Sequence, residues 1–343
     1  MRSLNFTSDY TVTCTPEILK DLAALGHESF TGYGFDRISE AAGNKIRELC
    51  DAPEAEVYFL SGGTQANEVV INTWLRPYQG VIAAETGHVA LHEAGAIEHG
   101  GHKVLTIPGV NAKVSAEGVR RFVENYYNDE NHEHMVMPGL VYISNPSEYG
   151  TVYSLKELEE LSAVCHTYHL PLYMDGARLA YALASDGYDV TLKDIARLCD
   201  AFYIGGTKCG ALYGEAVVFP KKNTIPHFFT MVKQNGALFA KGWGAGSQFL
   251  TLMSDGLYEK LGRNAIEKAN EIRKALDEKG YTQYIRNTTN QIFIVLTKEK
   301  NEELAKSVEL GFWENLKGGH VVMRIATSWA TREEDVKKLI ELL

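Results

Sequence analysis

PLYMDGAR at 171–178 and DAFYIGGTKCG at 200–210 are the two stretches on which the reading of this chain turns. Each is an apolar, β-rich run that breaks off in a small-residue turn bearing charge: Asp175 and Arg178 in the first, Lys208 in the second. Their separation of about 30 residues is one strand–helix–strand step, which makes the two turns neighbours along the edge of a parallel sheet. Ligands of open α/β sheets sit outside the carboxyl ends of the strands. Asp175, Arg178 and Lys208 therefore fall where a site is expected.

Working outward, the same kind of run recurs as VYFL (57–60), GVIAAE (80–85), HKVLTI (102–107) and GLVYIS (139–144). The segments between them read as helices. In SLKELEELSAVCHTYH (154–169), Ser154 is placed to cap, and Leu155, Leu158, Leu161 and Val164 share a face. Alternating strands and helices predict an α/β core with a mostly parallel sheet covered on both faces, over residues 19–246. After LFAKGWGAGSQF (238–249) the pattern changes to one long helical segment, the strand-like IFIVL (292–296) and MRIATSW (323–329), and the amphipathic TREEDVKKLIELL (331–343). These predict a smaller C-terminal α+β domain over 247–343, with residues 1–18 as an N-terminal segment joining it to the site. VENYYNDENHEHMVMP (123–138) reads as a surface loop.

Composition narrows the partners. The 343 residues carry a net charge of −10 and no basic tail, against a nucleic-acid or anionic-membrane partner. The apolar runs are strand-length, too short to span a membrane. The start MRSLNFTSDYTVTC lacks the apolar core of a secretory signal, so the cytoplasm is expected. Five cysteines without a CxxC read as reduced thiols, and Cys209 beside Lys208 reads as a packing residue. Small molecules and copies of the chain remain as partners, and no metal site is expected.

Four turns carry groups suited to chemistry. Asp175 can hold a ring nitrogen protonated, although DGAR taken alone is equally a helix-capping acid with a surface arginine. In IGGTKCG (204–210) the glycines let a bulky ligand approach, and a lysine shielded from water has the lowered pKa that imine formation needs. FLSGGTQANEVV (59–70) runs from strand through a glycine pair into a helix, so the free N–H groups near Gly63 and Thr64 suit an anion, although the stretch taken alone is equally an ordinary tight strand–helix turn. In ETGHVALHEAGA (85–96) His88 is able to stack on a flat ligand, and Glu93 lies five residues on. His92 is expected to face solvent, since the His88–His92 spacing lacks a third metal ligand.

Taken in order, SDYTVT (8–13), GYGFD (32–36), GGTQAN (62–67), GHVALHEAGA (87–96), MDGAR (174–178), TK (207–208) and MRIATSW resemble the threonine aldolase and β-eliminating lyase family of fold-type I pyridoxal-phosphate enzymes. The resemblance covers nearly the whole chain. It implies a mostly parallel seven-stranded sheet between helices. It further implies that Lys208 carries pyridoxal 5'-phosphate as a Schiff base, that Asp175 pairs with the pyridinium nitrogen, and that His88 stacks on the ring and acts as a base. By the same resemblance Gly62, Gly63, Thr64 and Thr207 hold the phosphate, and Arg178 and Arg324 grip the substrate carboxylate with Ser8 assisting, Arg178 also flanking the cofactor. Tyr33 matches a tyrosine near the cofactor, contributed from a neighbouring subunit. His134, with His132 competing, matches a histidine near the substrate hydroxyl. Lys241 falls where an arginine reaches phosphate from another subunit. A homodimer or homotetramer with shared sites follows, acting on a small amino acid substrate. The implied reaction is cleavage of the Cα–Cβ bond of a β-hydroxy-α-amino acid to glycine and an aldehyde. SNPSEYGTVY (144–153) departs from the family's pattern on the substrate side of the ring, keeping Asn145. That leaves side-chain preference open, with β-elimination, transamination, racemisation or a binding-only role as alternatives.

Overall fold

The computed structural model describes residues 4–343. In chain order the strands are β1 (Leu4–Phe6), β2 (Glu56–Leu60), β3 (Gln79–Ala84), β4 (Val104–Ile107), β5 (Met137–Ser144), β6 (Leu172–Asp175), β7 (Ala201–Gly205), β8 (Glu215–Phe219), β9 (Gln283–Ile285), β10 (Gln291–Thr297), β11 (Val308–Asn315) and β12 (His320–Ala326). Seven form one sheet in the order β2-β8-β7-β6-β5-β3-β4, parallel except for β8, which runs antiparallel to both β2 and β7. The other five form a second sheet in the order β1-β11-β12-β10-β9. The fold class expected from the sequence is the one observed.

The central strands β5, β6 and β7 are buried on both faces, as continuous apolar runs in a covered parallel sheet should be. Their N–H and C=O groups are all engaged by neighbours, so the ends of the strands are where backbone and side chains become available to a ligand. Helix Leu155–Thr167 packs against one face, and its start is a capping box in which Ser154 Oγ and Glu157 satisfy each other's backbone N–H groups. The segment read as a surface loop is helical at its start: helix Ala116–Asn128 takes in its first six residues, because Val119, Val123 and Tyr126 fall on one buried face.

Residues 4–18 run from the small sheet to the large one; the first three residues of the expected N-terminal segment lie outside the described ones. Strand β1 pairs parallel with β11, and the Thr15 N–H donates to the Gly210 carbonyl at 2.9 Å. The division between the two cores lies inside one helix. Helix Trp243–Met253, which spans the boundary expected at 246, contributes Phe249, Leu252 and Met253 to the core of the large sheet. In helix Leu257–Glu278, Tyr258, Ala265 and Ile266 belong to that same core, whereas Ala269, Ile272 and Leu276 pack under the small sheet with Ile292, Ile294 and Ile325. Gly262 is where this long helix crosses helix Leu179–Leu183; an added Cβ there would run into the Ala180 carbonyl oxygen.

Gly262→Ala gains about 1 kcal/mol of helix propensity but overpacks a contact with backbone, at a cost of about 1–3 kcal/mol. The crossing follows Arg178 directly, so the expected outcome is a net loss of stability, read as a lower urea midpoint of the purified chain.

Candidate functional site

The ends of β5, β6 and β7 converge on Asp175. Its side chain is 4% exposed, and every route to it is polar. Oδ2 accepts from the Tyr142 hydroxyl at 2.7 Å and from Asn67 Nδ2 at 3.1 Å, while Oδ1 accepts from the Ala177 N–H at 3.0 Å. Burial alone would raise its pKa, but His88, the Tyr203 hydroxyl, Lys208 and the Ala177 N–H together hold the carboxyl below the usual range. Asp175 is therefore a fixed negative charge.

His88 starts the turn His88–Leu91 and is fixed at two points by two carboxyls. Its Nδ1 meets Glu93 Oε1 at 2.6 Å, and its backbone N–H donates to Glu148 Oε1 at 2.8 Å. Glu93 in turn accepts from Asn67 Nδ2 at 2.7 Å. Glu148 accepts from the Ser144 hydroxyl at 2.6 Å, and Ser144 stands 3.1 Å from Tyr142. A closed circuit thus runs Asp175–Asn67–Glu93–His88–Glu148–Ser144–Tyr142 and back to Asp175. His88, Glu93 and Asp175 bring ligand atoms within 4.8 Å of one another, the spacing of a metal site, but hydrogen bonds inside the circuit already engage all three. Burial raises the pKa of Glu148, so this carboxyl holds its proton more tightly than an ordinary one. His92 is exposed, as expected, with its ring centroid 5.7 Å from that of His88.

Lys208 follows β7 in the turn Gly206–Gly210 and is half-buried. Burial and the nearby Arg178 lower its pKa against the opposing pull of Asp9, Asp175 and Glu215. The Tyr181 hydroxyl donates to the Lys208 carbonyl at 2.6 Å, which fixes the backbone from which the side chain projects. Cys209 is fully buried, and burial raises its thiol to about 12, in keeping with a packing role.

After β2 the chain turns through Ser61 and Gly62 into helix Gly63–Trp74, whose first turn has no side-chain cap. Its leading N–H groups are thus presented to any anion that binds. Gly63 is required by proximity, since a Cβ there would lie 2.8 Å from the Tyr203 hydroxyl. Thr207 Oγ1 accepts from the Gly214 N–H at 3.0 Å.

Two guanidinium groups face the same space. Arg178 is gripped through Nε and Nη2 by Asp9, at 2.6 and 3.1 Å. Burial works against the Asp9 charge, yet Arg178 and Lys208 bring its pKa down to about 2. Arg324 donates to the Thr7 carbonyl at 2.7 Å and to Gln291 Oε1 at 3.1 Å, and its guanidinium lies 5.5 Å from the Trp313 ring centre. Burial and the charge of Arg178 lower its pKa. Arg324 Nε and Ser8 Oγ are buried without a partner.

The structure thus brings together His88, Asp175, Arg178, Lys208 and Arg324, with Gly62, Gly63, Thr64 and Thr207 on adjoining turns, while Ser8 adjoins Asp9, the partner of Arg178. Tyr33 and Lys241 form a second, exposed group, joined by the Tyr33 N–H donating to the Ala240 carbonyl at 3.0 Å. A groove of about 400 Å³ lies beside Tyr33, bordered by Phe35, Phe229 and Phe239. His134 is a correction: it is exposed in the turn His132–His134, just before β5, whereas Asp175 lies level with Ser144 at the other end of that strand. A residue preceding a parallel strand sits at its amino edge, the edge away from this chain's site. His132 packs on Tyr126 beside it. Sequence reading missed Asp9, Asn67, Tyr142, Glu148 and Tyr203. A signal was present for two of them, because GLVYIS, PLYMD and DAFYIG each carry a tyrosine inside an otherwise apolar run.

The solved structure of Leishmania major threonine aldolase is similar over 98% of both chains, with 41% identity and a TM-score of 0.95. A low specificity L-threonine aldolase from a Pseudomonas species (strain NCIMB 10558) is 28% identical over 98% of this chain and 96% of its own length. An aspartate aminotransferase from Thermus thermophilus shares the fold at 16% identity and a TM-score of 0.73, over 99% of this chain and 90% of that one. Residues 5–299 match the family described as beta-eliminating lyase. By that match, which takes in the whole of the large sheet and every turn around Asp175, the chain belongs to the beta-eliminating lyase family.

Proposed function

We propose that the chain is a pyridoxal-phosphate-dependent lyase that cleaves the Cα–Cβ bond of a β-hydroxy-α-amino acid, giving glycine and an aldehyde. The observation that carries this is the set of donors around Asp175. A buried carboxylate held ionised suits a protonated ring nitrogen, and an imidazole held at Nδ1 by Glu93, on a backbone N–H held by Glu148, suits the ring face. A half-buried lysine suits an aldehyde, and an uncapped helix start suits a phosphate. The orphaned Ser8 Oγ and Arg324 Nε await a polar ligand. The residues present fit the cofactor, and the threonine aldolases similar to this chain point to the reaction.

When bound, pyridoxal 5'-phosphate supplies a protonated ring that draws off the electrons of a bond at the substrate α-carbon. The chain's own groups choose the bond. Arg324, Arg178 and Ser8 would hold the substrate carboxylate and so fix which bond at the α-carbon is offered for cleavage. Asp9 engages one edge of Arg178 and aims the rest of the guanidinium at the substrate. His88 Nδ1 is taken by Glu93, so proton exchange with the β-hydroxyl falls to Nε2. Tyr33 and Lys241, exposed together on this chain, complete the site of a neighbouring copy in a homo-oligomer, a dimer or tetramer. Among the described residues no helix is long and apolar enough to cross a membrane, and the reading places the enzyme in the cytoplasm.

Purified chain loaded with cofactor should be yellow and release glycine and an aldehyde from threonine or phenylserine; release of 2-oxobutyrate or phenylpyruvate with ammonia instead would replace this reaction with β-elimination. Lys208→Ala should lose the visible band. Arg324→Ala removes a charge-assisted contact of about 1.5–3 kcal/mol, so KM for threonine should rise by roughly 10- to 100-fold while the visible band persists. In cofactor-free protein the lowered pKa of Lys208 leaves a larger neutral-amine fraction at any given pH. As pH rises from neutral, acetic anhydride with mass spectrometric readout should therefore label Lys208 ahead of the equally accessible lysines.

A further inference from the structure

Glu215 opens β8 between the two strand ends that carry the anion-binding turns. Its register partners are Gly205 of β7, which leads into Gly206, Thr207 and Lys208, and Leu60 of β2, which leads into Ser61, Gly62 and Gly63. The side chain is 3% exposed, and neither the sequence pattern nor the steps assigned above call for a carboxyl at this place. Oε2 accepts from the Gly206 N–H at 2.9 Å, and the Thr207 side chain lies on the same turn, with its hydroxyl accepting from the Gly214 N–H next to Glu215. Glu215 thus stands directly behind the residues assigned to the phosphate.

The ionisable groups facing it are Lys208, Asp175, the Tyr173, Tyr203 and Tyr258 phenols and the Cys209 thiol. Burial keeps the phenols and the thiol neutral, so Lys208 and Asp175 are the charges it meets. Burial raises the Glu215 carboxyl to about 7, with Lys208, Thr207 and the Gly206 N–H pulling the other way. Without phosphate, Lys208 is its counter-charge. A phosphate dianion on the neighbouring turns adds negative charge at short range in a poorly solvated place, and like charges there drive a carboxylate to take a proton.

We propose that Glu215 is the proton-accepting member of the phosphate cradle: when a phosphate group settles on the 61–64 turn and Thr207, the carboxyl takes one proton from solvent, and it returns that proton when the phosphate leaves. This rests on the reading of the site as one for pyridoxal 5'-phosphate. Its consequence is a cofactor affinity that weakens as pH rises above neutral, because the proton must then be drawn from a scarcer supply.

The test titrates cofactor-free wild type and Glu215→Gln with pyridoxal 5'-phosphate near pH 8 in weak buffer, counting protons with an indicator dye and following the visible band. Wild type should take up about one proton more per bound cofactor than the variant, and its Kd should rise about tenfold more per pH unit above neutral. Equal proton counts with the band present in both proteins would overturn the assignment of Glu215. Absence of the band in wild type would overturn the cofactor reading instead. If Glu215→Gln does not fold, wild type is titrated with pyridoxal, which lacks the phosphate, with phosphorus NMR on the phosphate-bearing complex. An extra proton seen only with the phosphate-bearing ligand, bound as the dianion, supports the proposal; equal counts, or a phosphate that carries the proton itself, overturn it.

Discussion

The rest of the site depends on keeping Asp175 charged where there is almost no water. Removing an ionised carboxylate from solvent costs several kcal/mol even after the protein relaxes, roughly the scale of a domain's whole margin of stability. The chain offsets this with donors from four elements: Tyr142 on β5, Tyr203 on β7, Asn67 on the helix after β2, and the N–H of Ala177. Each donor must itself be fixed, which is why the network extends to Glu93, His88, Ser144 and Glu148 before it closes. Function and architecture are inseparable here, because the strands that bury the carboxylate also deliver its partners.

Much of this was legible in the sequence because it depends on local pattern. An apolar run ending in a turn with one charged residue places that residue at a strand end, which sufficed for Asp175, Arg178 and Lys208. The glycine pair before helix Gly63–Trp74 and the Ser154 cap were legible for the same reason: backbone geometry restricts which residues fit. What failed was carrying a role across a loop. His134 was matched by resemblance to a histidine near the substrate hydroxyl, but the strand that follows it carries the chain across the whole sheet at about 3.3 Å per residue, so His134 stays at the opposite edge. Asp9, Asn67 and Glu148 escaped because their partners lie 169, 108 and 60 positions away, and no periodicity encodes a pairing of that kind.

The stretch 144–150 shows how a departure from a family's pattern can still serve the common chemistry. Ser144 and Glu148 replace familiar residues, yet they hold His88 from behind and close the circuit on Asp175. Its neighbour Tyr149 packs on Trp313, the same ring that Arg324 overlies. The altered segment therefore joins the surroundings of Asp175 to Arg324, and a change in it would be felt at both.

Helix Leu257–Glu278 begins in one core and ends in the other. A rigid rod of that kind acts as a gauge between the sheets. Arg178 is set by the end of β6 and Arg324 by β12, so the gap between the two arginines is measured out by the helix rather than by the ligand that enters it. Because one helix serves both cores, the two sheets cannot be exchanged one at a time: a small sheet inherited from another protein would have to arrive with a helix of the same length, in the same rotational phase, before its arginine could stand in the same place relative to Arg178.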